Sequence, residues 1–95
     1  MKILDLPLIA EWYNMIESGV KTEEYREYKD YWYKRLIDVD ALRAKPYTHV
    51  RFRYGYTKRT MLFELDSITI GVGNPEWGAP QGREVFILKL GNRIE

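Results

Sequence analysis

The chain contains no cysteine and a single histidine, His49. Without cysteine there is no disulfide framework, no thiol nucleophile and no thiolate zinc site. One imidazole does not make a zinc site either. His49 reads first as a surface or strand-edge side chain, and as a general base only where it faces a cleft. Long apolar runs are also missing, and none approaches the roughly 20 residues that span a bilayer. The opening segment MKILDLPLIAEW is interrupted by Asp5, Pro7 and Glu11 too early for a secretory signal. With the lack of cysteine, this leads us to expect a cytoplasmic protein with no membrane partner. Net charge is nearly absent, at +1. Any affinity for phosphate must therefore come from a local patch of cations. No Ser-His-Asp set is recognisable and no phosphate-cradling glycine motif opens a helix; Gly71-Val72-Gly73 is too short to count.

What is present suits one small domain spanning residues 1–95. Hydrophobic residues at 45% and charged residues at 31% place the chain among globular rather than disordered proteins. Eight Tyr and three Trp make it rich in side chains that join an apolar body to a polar handle. Such residues build small cores, and they also build stacking sites. There is no internal repeat, low-complexity tract or domain boundary, and a monomer is expected.

Hydrophobic spacing gives the element order. Lys2–Leu6 predicts a first strand broken by Pro7. Ile9, Tyr13 and Ile16 recur at helical spacing, with Trp12 and Met15 beside them, so a helix is expected over Ile9–Ser18 and ends at Gly19. Thr22–Glu27 follows as a charged strand. Asp30 caps a short second helix through Leu36, with Tyr31, Trp32 and Leu36 inward. Asp38–Pro46 reads as a connection anchored by Leu42. His49–Tyr54 alternates, with Val50, Phe52 and Tyr54 on one face and Arg51 and Arg53 on the other. Met61, Phe63 and Leu65 alternate on a further strand. Ile68 and Ile70 have the opposite parity, which a bulge near Asp66–Ser67 would correct, returning both to the core. Gly71–Arg83 is a Gly/Pro loop around Trp77, and Val85–Leu90 reads as a strand covered on both faces. The expected fold is a small α+β barrel of about five to six mostly antiparallel strands, with two helices near the N-terminus.

Two segments can carry chemistry. In G-V-K-T-E-E-Y-R (Gly19–Arg26), Gly19 turns the chain sharply and Lys21 lies at the mouth of the new strand. Thr22, Glu24 and Arg26 share one strand face, and Lys21, Glu23 and Tyr25 the other. Glu24 beside Arg26 can orient a polar ligand, or can form an exchangeable surface ion pair. In RFRYGYTKR (Arg51–Arg59), four cations lie within nine residues. Arg51 and Arg53 can meet phosphates and Tyr54 or Tyr56 can stack on a base, or the segment can be a solubilising face. The carboxylates of Glu23, Glu24, Glu27 and Asp30 could hold a magnesium ion, but they read more simply as the balance to nearby cations. No cofactor or metal is expected.

The helix followed by Gly-x-Lys-x-x-Glu-x-Arg resembles the signature of the ASCH domain family, within the PUA-like superfamily. EWYNMIESG is similar to that family's first helix. RFRYGYTKR is similar to an Arg-Phe-Arg-x-Gly-Tyr segment of its small bacterial and phage single-domain members. The resemblance covers Leu6 to Arg59, and a closing strand like Val85–Leu90 suits it. It implies a small β-barrel with helices around a cleft, the motif at that cleft, and an association with RNA. One branch of the family deacylates acetylated cytidine with a Lys, a Thr and a Glu. Lys21 matches the Lys, but Glu24 stands at the Thr position, Thr22 is one step after Lys21, and no counterpart of the Glu is evident. That activity is therefore not carried over.

The leading expectation is an RNA- or nucleotide-binding domain. Its cleft is formed by Lys21, Glu24 and Arg26, with Arg51, Arg53, Tyr56 and Trp77 as further ligand contacts. An alternative is a hydrolase acting on RNA or an acylated nucleoside, with Lys21 and Glu24 as the catalytic pair. A third is a protein-interaction module that uses Trp77 as an anchor.

Overall fold

The computed structural model describes residues 1–95. Apolar residues at alternate positions drive the strands. In β1 (Ile3–Leu8), Leu4, Leu6 and Leu8 point inward and Asp5 and Pro7 outward. Helix α1 (Ala10–Glu17) buries Tyr13 and Ile16. Strand β2 (Glu23–Glu27) and helix α2 (Asp30–Leu36) follow, then a two-stranded ribbon of β3 (Ile37–Asp38) and β4 (Arg43–Ala44). The chain closes with β5 (His49–Tyr54), the long β6 (Thr60–Val72), a single 3-10 turn at Pro75–Trp77, and β7 (Glu84–Arg93).

The main sheet has the order β1-β5-β6-β7-β2 and curls into a half-barrel, so the protein is a small α+β, barrel-like domain. Three pairings are antiparallel. The fourth, β1 with β5, is parallel and pairs Leu6 with Phe52 and Pro7 with Arg53. A parallel pair needs a long crossover. Here that crossover holds α1, β2, α2 and the ribbon, and it carries β2 to the far edge of the sheet. The curl depends on β6. Its first half pairs with β5, its second half pairs with β7, and the register shifts on both sides of Leu65. Bulges of this kind bend and twist a strand.

One main core fills the concave face. It combines Leu4, Leu6 and Leu8 with Tyr13, Ile16 and Leu36, then Val50, Phe52, Met61, Phe63, Leu65, Phe86, Leu88 and Leu90. A smaller cluster of Tyr25, Ala79 and Val85 sits on the opposite face of β7. The continuous apolar run of β7 thus has both faces covered, as its sequence implies.

Several local expectations need correction. Pro7 does not end β1, because on an edge strand its missing N–H interrupts no ladder. Asp30 is not a cap: Lys29 holds that position and no side chain caps the helix. Tyr31 is 53% exposed rather than inward. Both register shifts of β6 precede Ile68 and bring it against the core, but Ile70, two residues further along the same face, is 42% exposed and lines a surface hollow with Tyr28 and Tyr33 instead.

Leu42 anchors nothing. It is 85% exposed at the ribbon turn and has a φ of 54°, in the left-handed region that a Cβ disfavours. Leu42→Gly relieves this strain without removing core contacts. We expect it to add about 0.5–1 kcal/mol of stability and so to raise the denaturation midpoint. A lower midpoint would show that the exposed leucine packs against the domain in solution.

Candidate functional site

The curl brings the two edge strands, β1 and β2, face to face. Leu8 O accepts from Gly55 N and Lys2 O accepts from His49 N, so the even-numbered carbonyls of β1 point toward β5. The odd-numbered ones, including Pro7, point into the seam. Pro7 has no N–H to offer there. Instead, Arg26 Nη2 reaches across from β2 and donates to Pro7 O at 3.3 Å. A guanidinium bridges the seam where a strand ladder would otherwise close it.

Beneath this bridge lies a buried charge cluster. Lys21 precedes β2 and its placement follows from the end of α1. Gly19, at φ 86°, lets the chain turn, and Lys21 N returns to Met15 O at 3.0 Å. The Lys21 side chain then runs inward and is 0% exposed. Its Nζ lies 3.1 Å from Glu24 Oε1 and also donates to Trp77 O. The ring faces of Tyr25 and Trp12 flank it at 4.7 and 5.2 Å. The other carboxylate oxygen of Glu24 accepts from Arg26 Nη1, which also donates to Tyr25 O at 2.8 Å. Glu24 is thus buried and ion-paired on both oxygens. Burial lowers the Lys21 pKa from its ordinary value of 10.5, against the opposing pull of Glu24.

The loop after β6 completes the cluster. Tyr25 OH donates to Glu23 Oε1 at 2.8 Å and accepts from Asn74 N at 3.0 Å. A Cβ at Gly73 would stand 2.7 Å from the Tyr25 ring, and one at Gly78 would stand 2.9 Å from Trp12. Glycine at these two places lets the loop lie on both rings and deliver the Trp77 carbonyl to Lys21. Burial, chiefly, pushes the Tyr25 phenol up from 10.0 to about 12.

Above the cluster opens a cleft of about 410 Å³, with Glu24 and Arg26 on one wall and β1 from Asp5 on the other. Trp12 from α1 and Tyr31, Trp32 and Arg35 from α2 complete it. The Arg26 guanidinium lies 5.1 Å from the Trp32 ring, and that of Arg35 lies 4.4 Å from Tyr31. The result is a set of flat faces around one buried carboxylate and two guanidinium groups.

Glu24 and Arg26 therefore line one cleft. Lys21 does not line it; it stands behind Glu24, with its ammonium turned inward. Arg51, Arg53 and Tyr56 are brought to a smaller hollow on the far side of Pro7. Trp77 is half-buried and supplies only its carbonyl to the charge cluster. His49 sits at the start of β5 with Nδ1 2.7 Å from Thr48 Oγ1, outside the cleft. The carboxylates of Glu23, Glu24, Glu27 and Asp30 do not converge, and no group of three metal-ligating side chains forms. Trp12, Tyr31, Trp32 and Arg35 were not singled out from sequence as ligand contacts. Trp32 and Arg35, three apart on a short helix, were the available signal.

Two measurements test this cluster. Lys21→Met leaves Trp77 O without its donor and Glu24 with half its partners; we expect it to cost about 3 kcal/mol in chemical denaturation. A loss near 0.5 kcal/mol, the surface norm, would show the buried ammonium to be dispensable. The second measurement is a pH profile. The folded chain holds the Tyr25 proton more tightly than the unfolded chain, so this group's stabilisation is complete below pH 10.0 and is lost as pH rises toward about 12. Lys21 acts with the opposite sign just below 10.5, because there the unfolded chain holds its proton more tightly. Tyr25→Phe should flatten the decline above pH 10, and an unchanged slope would remove Tyr25 as its source.

No protein-family model, no curated protein and no solved structure matches this chain.

Proposed function

We propose that the chain is an RNA- or nucleotide-binding domain and that the seam between β1 and β2 receives a base. The observation that carries this reading is the pairing of a buried, doubly ion-paired carboxylate with aromatic walls. Glu24 has only acceptors, and Arg26 beside it has only donors. Side by side they complement the donor and acceptor groups on the edge of a nucleobase. Trp32 and Tyr31 offer flat surfaces for its faces, and stacking on such rings is worth about 1–3 kcal/mol per base. Arg35 lies at the rim, where a phosphate can reach it. The resemblance of Gly19–Arg26 to the ASCH signature points to the same ligand class. On this reading Lys21 fixes Glu24 in place and does not touch the ligand.

The test is fluorescence anisotropy of a short labelled single-stranded RNA at two salt concentrations. We expect Tyr31→Ala, at an exposed position, and Trp32→Ala each to weaken binding about tenfold. Arg35→Ala should reduce the salt slope by about one. Affinity and slope unchanged in all three variants would remove the seam as the binding site.

A hydrolytic reading has one observation in its favour, the lowered pKa of Lys21 beside Glu24. It requires the ammonium to exchange its internal contacts for a substrate. Turnover of an acylated nucleoside or an RNA by the wild type, lost in Lys21→Met while the fold is retained, would establish it over simple binding.

A further inference from the structure

Pro7 has a hollow on each side. The seam cleft lies on one side. On the other, a hollow of about 210 Å³ opens between Arg51, Arg53 and Tyr56. Val50 and Phe52 take the core face of β5, so Arg51 and Arg53, which alternate with them, face outward. Both retain free donors. Arg51 Nη1 makes one long contact to the exposed Asp5 Oδ1, at 3.4 Å, and Arg53 Nη1 donates to Thr57 O at 3.0 Å. Arg59 contrasts with them: it holds both carboxylate oxygens of Glu17, at 2.8 and 3.0 Å, and lies against the rings of Tyr13 and Tyr54. Of the arginines in this segment, only Arg51 and Arg53 are left for a ligand.

Tyr56 is 96% exposed and pairs with no other aromatic ring. It is nonetheless not loosely attached. The turn that carries it is tied to the end of β1 by Gly55 N donating to Leu8 O at 2.8 Å, so the backbone at Tyr56 keeps its place relative to the seam. The two hollows are also close. Pro7 pairs with Arg53 across the ladder, and Arg26 Nη2 lies 3.3 Å from Pro7 O on the other side. With a strand spacing of about 4.8 Å, roughly 8 Å separates the Arg26 guanidinium from the Arg53 backbone. One sugar–phosphate unit bridges such a span.

We infer that this hollow is a second subsite for the ligand of the seam, with Arg51 and Arg53 holding a phosphate and Tyr56 stacking the neighbouring base. The ligand is then a single-stranded chain of at least two nucleotides rather than a free nucleoside. The inference rests on the seam being the base site. It commits the ligand to cross β1 at Pro7, the one residue of that strand with no N–H to present to it.

The experiment compares a nucleoside, its monophosphate, a dinucleotide and a tetranucleotide as competitors of a labelled single-stranded RNA. We expect affinity to rise at each of the first two steps, by about tenfold for the added base. Arg53→Ala should abolish the gain from nucleoside to monophosphate, and Tyr56→Ala the gain from monophosphate to dinucleotide. Both side chains are outside the core, so both variants are expected to fold. Equal affinity for all the competitors, or gains that persist in the variants, would overturn the second subsite. The seam reading would survive that result if Trp32→Ala still weakened the nucleoside. Failure of the wild type to bind any of the probes would overturn both.

Discussion

An ammonium group without access to water sets the terms for the rest of this molecule. Taking Lys21 out of solvent costs several kcal/mol, which no single contact recovers. Its four partners come from three separate places: Glu24 and the Tyr25 ring from β2, the Trp77 carbonyl from the last loop and the Trp12 ring from α1. Each partner is needed because the charge is buried, and each is held because the others are present. A helix, an edge strand and a glycine-bearing loop, which share no main-chain ladder, are thereby fastened to one point. The side of Glu24 that faces the cleft inherits that rigidity.

Much of the fold was legible in the sequence because periodicity reports burial. Val50, Phe52, Met61, Phe63 and Leu65 alternate and are buried, and the apolar run of β7 is covered on both faces. What was not legible depends on which strands become neighbours. The parallel pairing of β1 with β5 joins residues 46 apart, and nothing local encodes it. The site divides along the same line. Glu24 and Arg26, two apart on one strand, were readable as neighbours. Lys21 was expected on the opposite face, but it precedes the regular strand and approaches Glu24 from behind. Trp32 and Tyr31 looked like core residues, because an aromatic on a short helix has the same signature whether it faces a core or a cleft. Leu42 misled for a related reason: hydrophobicity alone does not reveal a turn that holds the residue in solvent.

The position of the cleft is a consequence of topology. Sending β2 to the far side of the sheet leaves β1 and β2 as the two free edges, and the curl at Leu65 turns them toward each other. Exposed edges invite unwanted pairing, and barrels remove them by closing the ladder. This half-barrel does not close it. Pro7 cannot donate, and the Arg26 side chain spans the gap, which keeps the edges apart and furnishes them with polar groups.

That arrangement bears on the kind of chemistry the site suits. A general base needs to reach its substrate and to exchange protons with it. Lys21 is committed to groups of its own chain, and its lowered pKa arises chiefly from burial. Glu24 has each oxygen committed to a cation. Groups so constrained are well suited to presenting a fixed pattern of charge and poorly suited to shuttling protons. A fixed acceptor beside a fixed donor, between rings that accept any flat face, is the pattern on which the proposed binding role rests. The same constraint explains why the buried cluster and the outward-facing arginines are separate. The cluster holds geometry, while Arg35, Arg51 and Arg53 remain at the surface where a polyanion can find them.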